Sequence, residues 1–115
     1  MSAKLVPELL VSDHAASLYF YVRVIGFSVR YERPAEKFAY LDLDGAELMI
    51  EQETDFWLTA TLEKPYGRGI NLQIEVGDLG AIVARLRTAG IPLFRPVEEA
   101  WYRVGDTYSG NRQFL

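Results

Sequence analysis

Short apolar runs alternate with polar punctuation along this chain, and they return in the same order. LVPELLV (5–11) reads as a strand. Ser12 and Asp13 follow as helix-capping residues, and HAASLYFYVRVI (14–25) reads as a helix that Gly26 closes. FSVRYER (27–33), FAYLDL (38–43) and AELMIEQ (46–52) then read as three strands, the last two joined by Asp44-Gly45, a strong signal for a two-residue hairpin. From Ile70 the order repeats with INLQIEV, Gly77 and Asp78, LGAIVARLRTA and Gly90. VSD (11–13) aligns on VGD (76–78), and an ordered set of this length argues for duplication rather than a shared helix cap.

The second unit offers a short strand near PLFR (92–95), an alternating run WYRVGDTY (101–108) and the start of another strand at RQFL (112–115). It has no counterpart of the Asp44-Gly45 turn and its following strand. The expected architecture is α+β: two βαβββ units forming a cupped mixed sheet with helices on its outer face, the second unit lacking its last strand. One domain spans 1–115, with unit one at 1–53, a connector at 54–69 carrying Pro65, Gly67 and Gly69, and unit two at 70–115.

Strand alternation sorts the side chains by face. Ala39, Leu41 and Leu43 oppose Phe38, Tyr40 and Asp42; Leu48 and Ile50 oppose Glu47, Met49 and Glu51; Leu72, Ile74 and Val76 oppose Asn71, Gln73 and Glu75. The aliphatic faces match the helical residues Leu18, Phe20, Tyr21 and Ile25, or Ile82, Val83 and Leu86. The opposite face is left polar and aromatic. It is either simply solvated or a cup lined by Phe38, Tyr40, Glu51, Asn71 and Gln73.

Composition narrows the chemistry. At 115 residues the chain suits one core, and with half its residues apolar and 24% charged it lies far from the signature of disorder. It has no cysteine, which excludes disulfides, thiolate catalysis and cysteine-bound zinc. No apolar run is long enough to span a bilayer and the first residues do not resemble a signal peptide, so a cytoplasmic location is expected. A net charge of -4 with no run of Lys or Arg lacks the footprint of a nucleic-acid binder. Asp42, Asp44, Glu47, Glu51, Glu53 and Asp55 crowd a stretch without a basic residue. That stretch is either a solvated strand and loop or a region whose summed field draws a cationic ligand.

The paired units, opening with VSDHAASLYFYVRVIGFSV and closing the first half with LDLDGAELMIEQ, resemble the vicinal oxygen chelate superfamily over residues 5–115. That group contains glyoxalase I, extradiol dioxygenases and the bleomycin resistance proteins. The resemblance implies metal-ligand positions at Val6, Glu51 and Asn71, with a fourth beyond Leu115. Only Glu51 carries a strong donor, so no metal, no other cofactor and no catalytic residue are expected. His14, the only histidine, is expected on the solvent side of the helix.

Within the group the chain is most similar to the bleomycin resistance proteins, which bind the drug without chemistry in clefts completed by a homodimer. The resemblance implies a bleomycin-type glycopeptide or similar flat cationic ligand, with Tyr31 and Phe38 at the aromatic positions of the cleft. Phe38 is expected to stack on the ligand and to be removable at little cost to the core. Tyr40, Glu47, Glu51, Asn71 and Gln73 would line the same face, with Trp57 from the connector and Tyr108 and Arg112 from the second unit. The alternative is a divalent-metal lyase or dioxygenase of the glyoxalase type.

Overall fold

The computed structural model describes residues 3–56 and 58–115. The chain divides into two compact units, one ending at Val76 and the other running Gly77–Leu115.

In the first unit, strand β1 (Glu8–Val11) leads into helix α1 (His14–Leu18), which continues as a π-helical stretch over Tyr19–Ile25. Asp13 caps it, its Oδ1 accepting from the Ala16 amide at 3.1 Å. Gly26 ends it at φ 111°, and the amides of Gly26 and Phe27 both donate to the Tyr21 carbonyl. Strands β2 (Ser28–Arg33), β3 (Phe38–Leu43) and β4 (Ala46–Gln52) follow, with a single 3-10 turn at Pro34–Glu36. The sheet order is β1-β4-β3-β2, with β1 parallel to β4 and the other pairs antiparallel. At the β3–β4 turn Asp44 and Gly45 both take positive φ, 50° and 91°, as a type I′ hairpin requires. The Asp42 carboxylate accepts from the Gly45 amide at 3.2 Å.

Phe27, Ala39, Leu41, Leu48 and Ile50 form the buried core, with Leu9 and Val11 of β1, Leu18, Tyr21, Val22 and Ile25 of the helical stretch, and Ile74 packed against it. The aliphatic face is therefore the helix-covered one, as the alternation predicts. Val22 rather than Phe20 takes the inward place, because Leu18, Tyr21, Val22 and Ile25 recur at i, i+3, i+4 and i+7 on one helical face and Phe20 lies off it. Phe20 instead meets Tyr21 edge-on, at 5.1 Å between ring centroids.

The expected strand over 70–76 does not form. Ile74 reaches the core, but Ile70 and Leu72 are exposed and none of these residues pairs with a strand. Alternation states which way side chains would point; a strand exists only where a neighbour takes its backbone donors and acceptors. Asn71 and Gln73 consequently line no sheet. The segment also groups with the first unit rather than opening the second.

The second unit begins with helix α2 (Leu79–Thr88), capped by Asp78 through the Ala81 amide at 3.0 Å and followed by Gly90 at φ 72°. Ile82 and Leu86, one turn apart, are its buried residues. Strands β5 (Glu98–Val104) and β6 (Thr107–Gln113) pair as an antiparallel ribbon, so the second sheet has two strands. The run 101–108 is thus not one strand. Gly105, at φ 61°, opens a two-residue turn with Asp106 inside it. Likewise Arg112 and Gln113 finish β6 instead of starting a new strand. The expected strand at 92–95 is reduced to Arg95, which exchanges two backbone hydrogen bonds with Leu115, at 2.7 and 3.2 Å.

No helix among the described residues is long and apolar enough to cross a membrane.

Candidate functional site

The polar and aromatic face of the first sheet gathers five of the ten sequence-predicted residues: Tyr31, Phe38, Tyr40, Glu47 and Glu51. A β-bulge organises it. The β2–β3 register passes from Val29 opposite Leu41 to Tyr31 opposite Tyr40, leaving Arg30 as the extra residue. Arg30 and Tyr31 therefore serve one face in succession, a use of bulges common beside binding sites. Tyr31 stacks on Tyr40 at 5.1 Å and 18° and meets Phe38 at 6.1 Å and 32°. Arg30 stands 5.7 Å over the Tyr40 ring, and Arg33 lies 3.9 Å over Phe38. The result is a row of three rings with a guanidinium at each end. Only the middle ring is open: Tyr31 is 51% exposed, whereas Phe38 and Tyr40 are buried at 3% and 5%.

Glu47 ties the row to the rest of the sheet. Its Oε1 accepts from the Tyr40 hydroxyl at 2.6 Å and from Arg30 Nη1 at 2.8 Å, and its Oε2 accepts from the Ala3 amide at 2.6 Å. The Tyr40 hydroxyl, with the Ala3 amide and Arg30, holds this carboxyl below its ordinary value against the opposing effect of burial. Glu47 is thus engaged inside the protein. Asp42 is similarly engaged by the hairpin turn, and Glu53 accepts from the Tyr66 hydroxyl at 2.7 Å. The acidic stretch is therefore less free to act as one field than its sequence implies.

Glu51 has a different neighbour. The parallel pairing of β1 with β4 brings Glu8 onto the same face, where burial, the Glu51 charge and a hydrogen bond between the two carboxyls raise the Glu8 pKa, Arg33 opposing. Glu8, Arg30 and Arg33 are the members of this face that sequence reasoning missed. Alternation alone would have sent Arg30 to the side opposite Tyr31, and the parallel register of β1 leaves no local trace in sequence.

The other predicted residues lie elsewhere. Trp57 falls outside the described residues. Asn71 and Gln73 are exposed in the unpaired segment. Tyr108 and Arg112 stand on one face of the β5–β6 ribbon with Trp101 and Glu99. There the Trp101 ring lies over Gly110, where a Cβ would come within 2.5 Å of it. Glu99, Trp101, Gly110, Asn111 and Arg112 border an open recess of about 210 Å³.

The donors do not fit a divalent metal. Val6 is aliphatic, Asn71 is unpaired and exposed, and among the described residues no three His, Cys, Asp or Glu side chains come together. His14 is half-buried rather than solvent-facing, its Nδ1 buried without a hydrogen-bond partner. Its amide donates to Gln52 Oε1 at 2.9 Å.

The family model of the glyoxalase/bleomycin resistance protein/dioxygenase superfamily matches residues 5–112. A solved superfamily member from Vibrio splendidus 12B01 is 36% identical over 95% of this chain and 84% of its own, with a TM-score of 0.42. An integron cassette protein from the mobile metagenome of the Halifax Harbour sewage outfall is 17% identical over 85% of this chain and 76% of its own, with a TM-score of 0.46. No curated protein matches significantly. The chain belongs to the glyoxalase/bleomycin resistance protein/dioxygenase superfamily.

Proposed function

We propose that this protein binds and sequesters a flat aromatic small molecule bearing a cationic group, of the bleomycin type, without transforming it. The observation that carries the reading is Tyr31: a half-exposed ring, backed by Tyr40 and Phe38, on the sheet face that the helix leaves uncovered. An open ring on a preformed stack suits a planar ligand, because its partners are already ordered before binding. The Glu8–Glu51 pair supplies negative charge on the same face for the cationic group. A homodimer is part of the proposal, supported by the unpaired edges of the β5–β6 ribbon.

Calorimetric titration with metal-free bleomycin tests it. Tyr31→Ala is expected to weaken binding by about 5- to 150-fold, the range for losing an aromatic contact worth about 1 to 3 kcal/mol, with a smaller fall in melting temperature than Phe38→Ala causes. Binding unaltered by this substitution would remove the stacked face from the mechanism.

A further inference from the structure

Phe38 points away from the aliphatic core and is nevertheless 3% exposed, because the protein's own Arg33 lies over its ring and Tyr31 packs beside it. The guanidinium carbon is 3.9 Å from the ring centroid, the contact distance of a planar cation on a π face. Arg33 Nε donates to Glu36 Oε2 at 2.7 Å. Glu36 belongs to the Pro34–Glu36 turn, which Lys37 closes at φ 51° with its amide on the Pro34 carbonyl. The two ends of this ion pair are 52% and 58% exposed, so opening it costs little, while the ring beneath is buried. Glu51 is the cross-strand partner of Phe38 on its other side, and Glu8 lies near enough to feel the charge of Arg33.

A side chain at rest on a ring face shows what that face accepts. Here the occupant is flat, delocalised and positive, and the surroundings are a ring face and carboxylates. We infer that the Phe38 ring is a subsite for a planar delocalised cation, a guanidinium, amidinium or protonated amino-heterocycle, filled in the free protein by Arg33, which swings aside when such a group enters. This rests on the binding function proposed above and gives the ligand's cationic group a place and a chemical class. It also makes Arg33 a specificity-determining residue. A compact ammonium, strongly hydrated and without a plane, does not displace a tethered guanidinium from a ring.

The test titrates the full chain with ethylguanidinium, using ethylammonium as a control of equal charge without the plane. Arg33→Ala is expected to bind ethylguanidinium about tenfold more tightly than the wild type, read from shifts of the Tyr31 and Phe38 ring protons, and more tightly than it binds ethylammonium, to which the wild type is not expected to respond. Arg33→Gln repeats the comparison with more of the side chain kept, so an early melt of the alanine variant leaves the measurement intact. Equal affinity of wild type and variants for ethylguanidinium, or an equal response to ethylammonium, overturns the inference. Metal-free bleomycin in the same series separates the two readings. Bleomycin bound through Tyr31 with no ethylguanidinium effect sinks the Arg33 subsite alone; ethylguanidinium entering Arg33→Ala while bleomycin binds neither protein sinks the drug reading alone.

Discussion

Glu47 and Glu8 share a sheet face and respond to acid in opposite senses. Glu47 has its pKa lowered by the Tyr40 hydroxyl and its other donors, so its contribution to stability is present above the ordinary carboxylate value of 4.5 and is lost as pH falls through its folded value. Glu8 has its pKa raised by burial and by Glu51, so its protonated form favours the fold, and that contribution disappears as pH rises through the folded value. Thermal melts from about pH 4 to about pH 7 separate them. Glu47→Ala is expected to melt several degrees lower than wild type at neutral pH, because it removes the carboxylate that accepts from the Tyr40 hydroxyl, Arg30 and the Ala3 amide, and to approach wild type in acid. Glu8→Gln is expected to melt higher than wild type at neutral pH and to lose that advantage toward pH 4. A Glu8→Gln protein that is less stable at neutral pH would mean the two carboxyls do not repel. Phe38 is a further correction at this scale. Its face agrees with the alternation, but burial under Arg33 and Tyr31 means that Phe38→Ala costs about 3 kcal/mol, not the small amount its orientation implies. Tyr31 is therefore the cleaner probe of binding.

Elements whose signals are local were legible in the sequence. Asp13 and Asp78 mark helix starts because a capping carboxylate acts within its own turn, and the Asp44-Gly45 pair sets both the hairpin and the bounds of β3 and β4. Elements that depend on a distant partner were not. The 70–76 segment carries a clean alternation and forms no strand, and the bulge at Arg30, which decides two members of the candidate site, is a property of the β2–β3 pair rather than of β2. The Trp101–Gly110 contact belongs to the same class, since the glycine is explained only by the ring across the ribbon. Gly110→Ala is expected to push the Trp101 ring off the strand and loosen the β5–β6 ribbon, seen as faster amide hydrogen exchange from Trp101 to Val104 with the first unit unchanged. Unaltered exchange there would mean that the ring moves aside without cost.

For the molecule as a whole, the two sheets differ in how far they can stand alone. The first has four strands and a covered aliphatic face, while the second is a two-stranded ribbon with Trp101, Tyr102, Val104 and Tyr108 exposed. A ribbon of this kind is marginal in water without a further strand or surface. The homodimer proposed above provides one, and light scattering at concentrations on the order of tens of micromolar is expected to give twice the chain mass, with a monomer contradicting it. The bulge in β2 has a different kind of consequence, one for heredity. Removing residue 30 would leave Val29 opposite Leu41 and Tyr31 opposite Tyr40, the same pairs in an uninterrupted ladder. A single in-frame deletion at this point therefore removes the Arg30 charge while keeping the cross-strand pairs that carry the rings. Charge and stacking on this face can diverge independently among descendants of one ancestral strand.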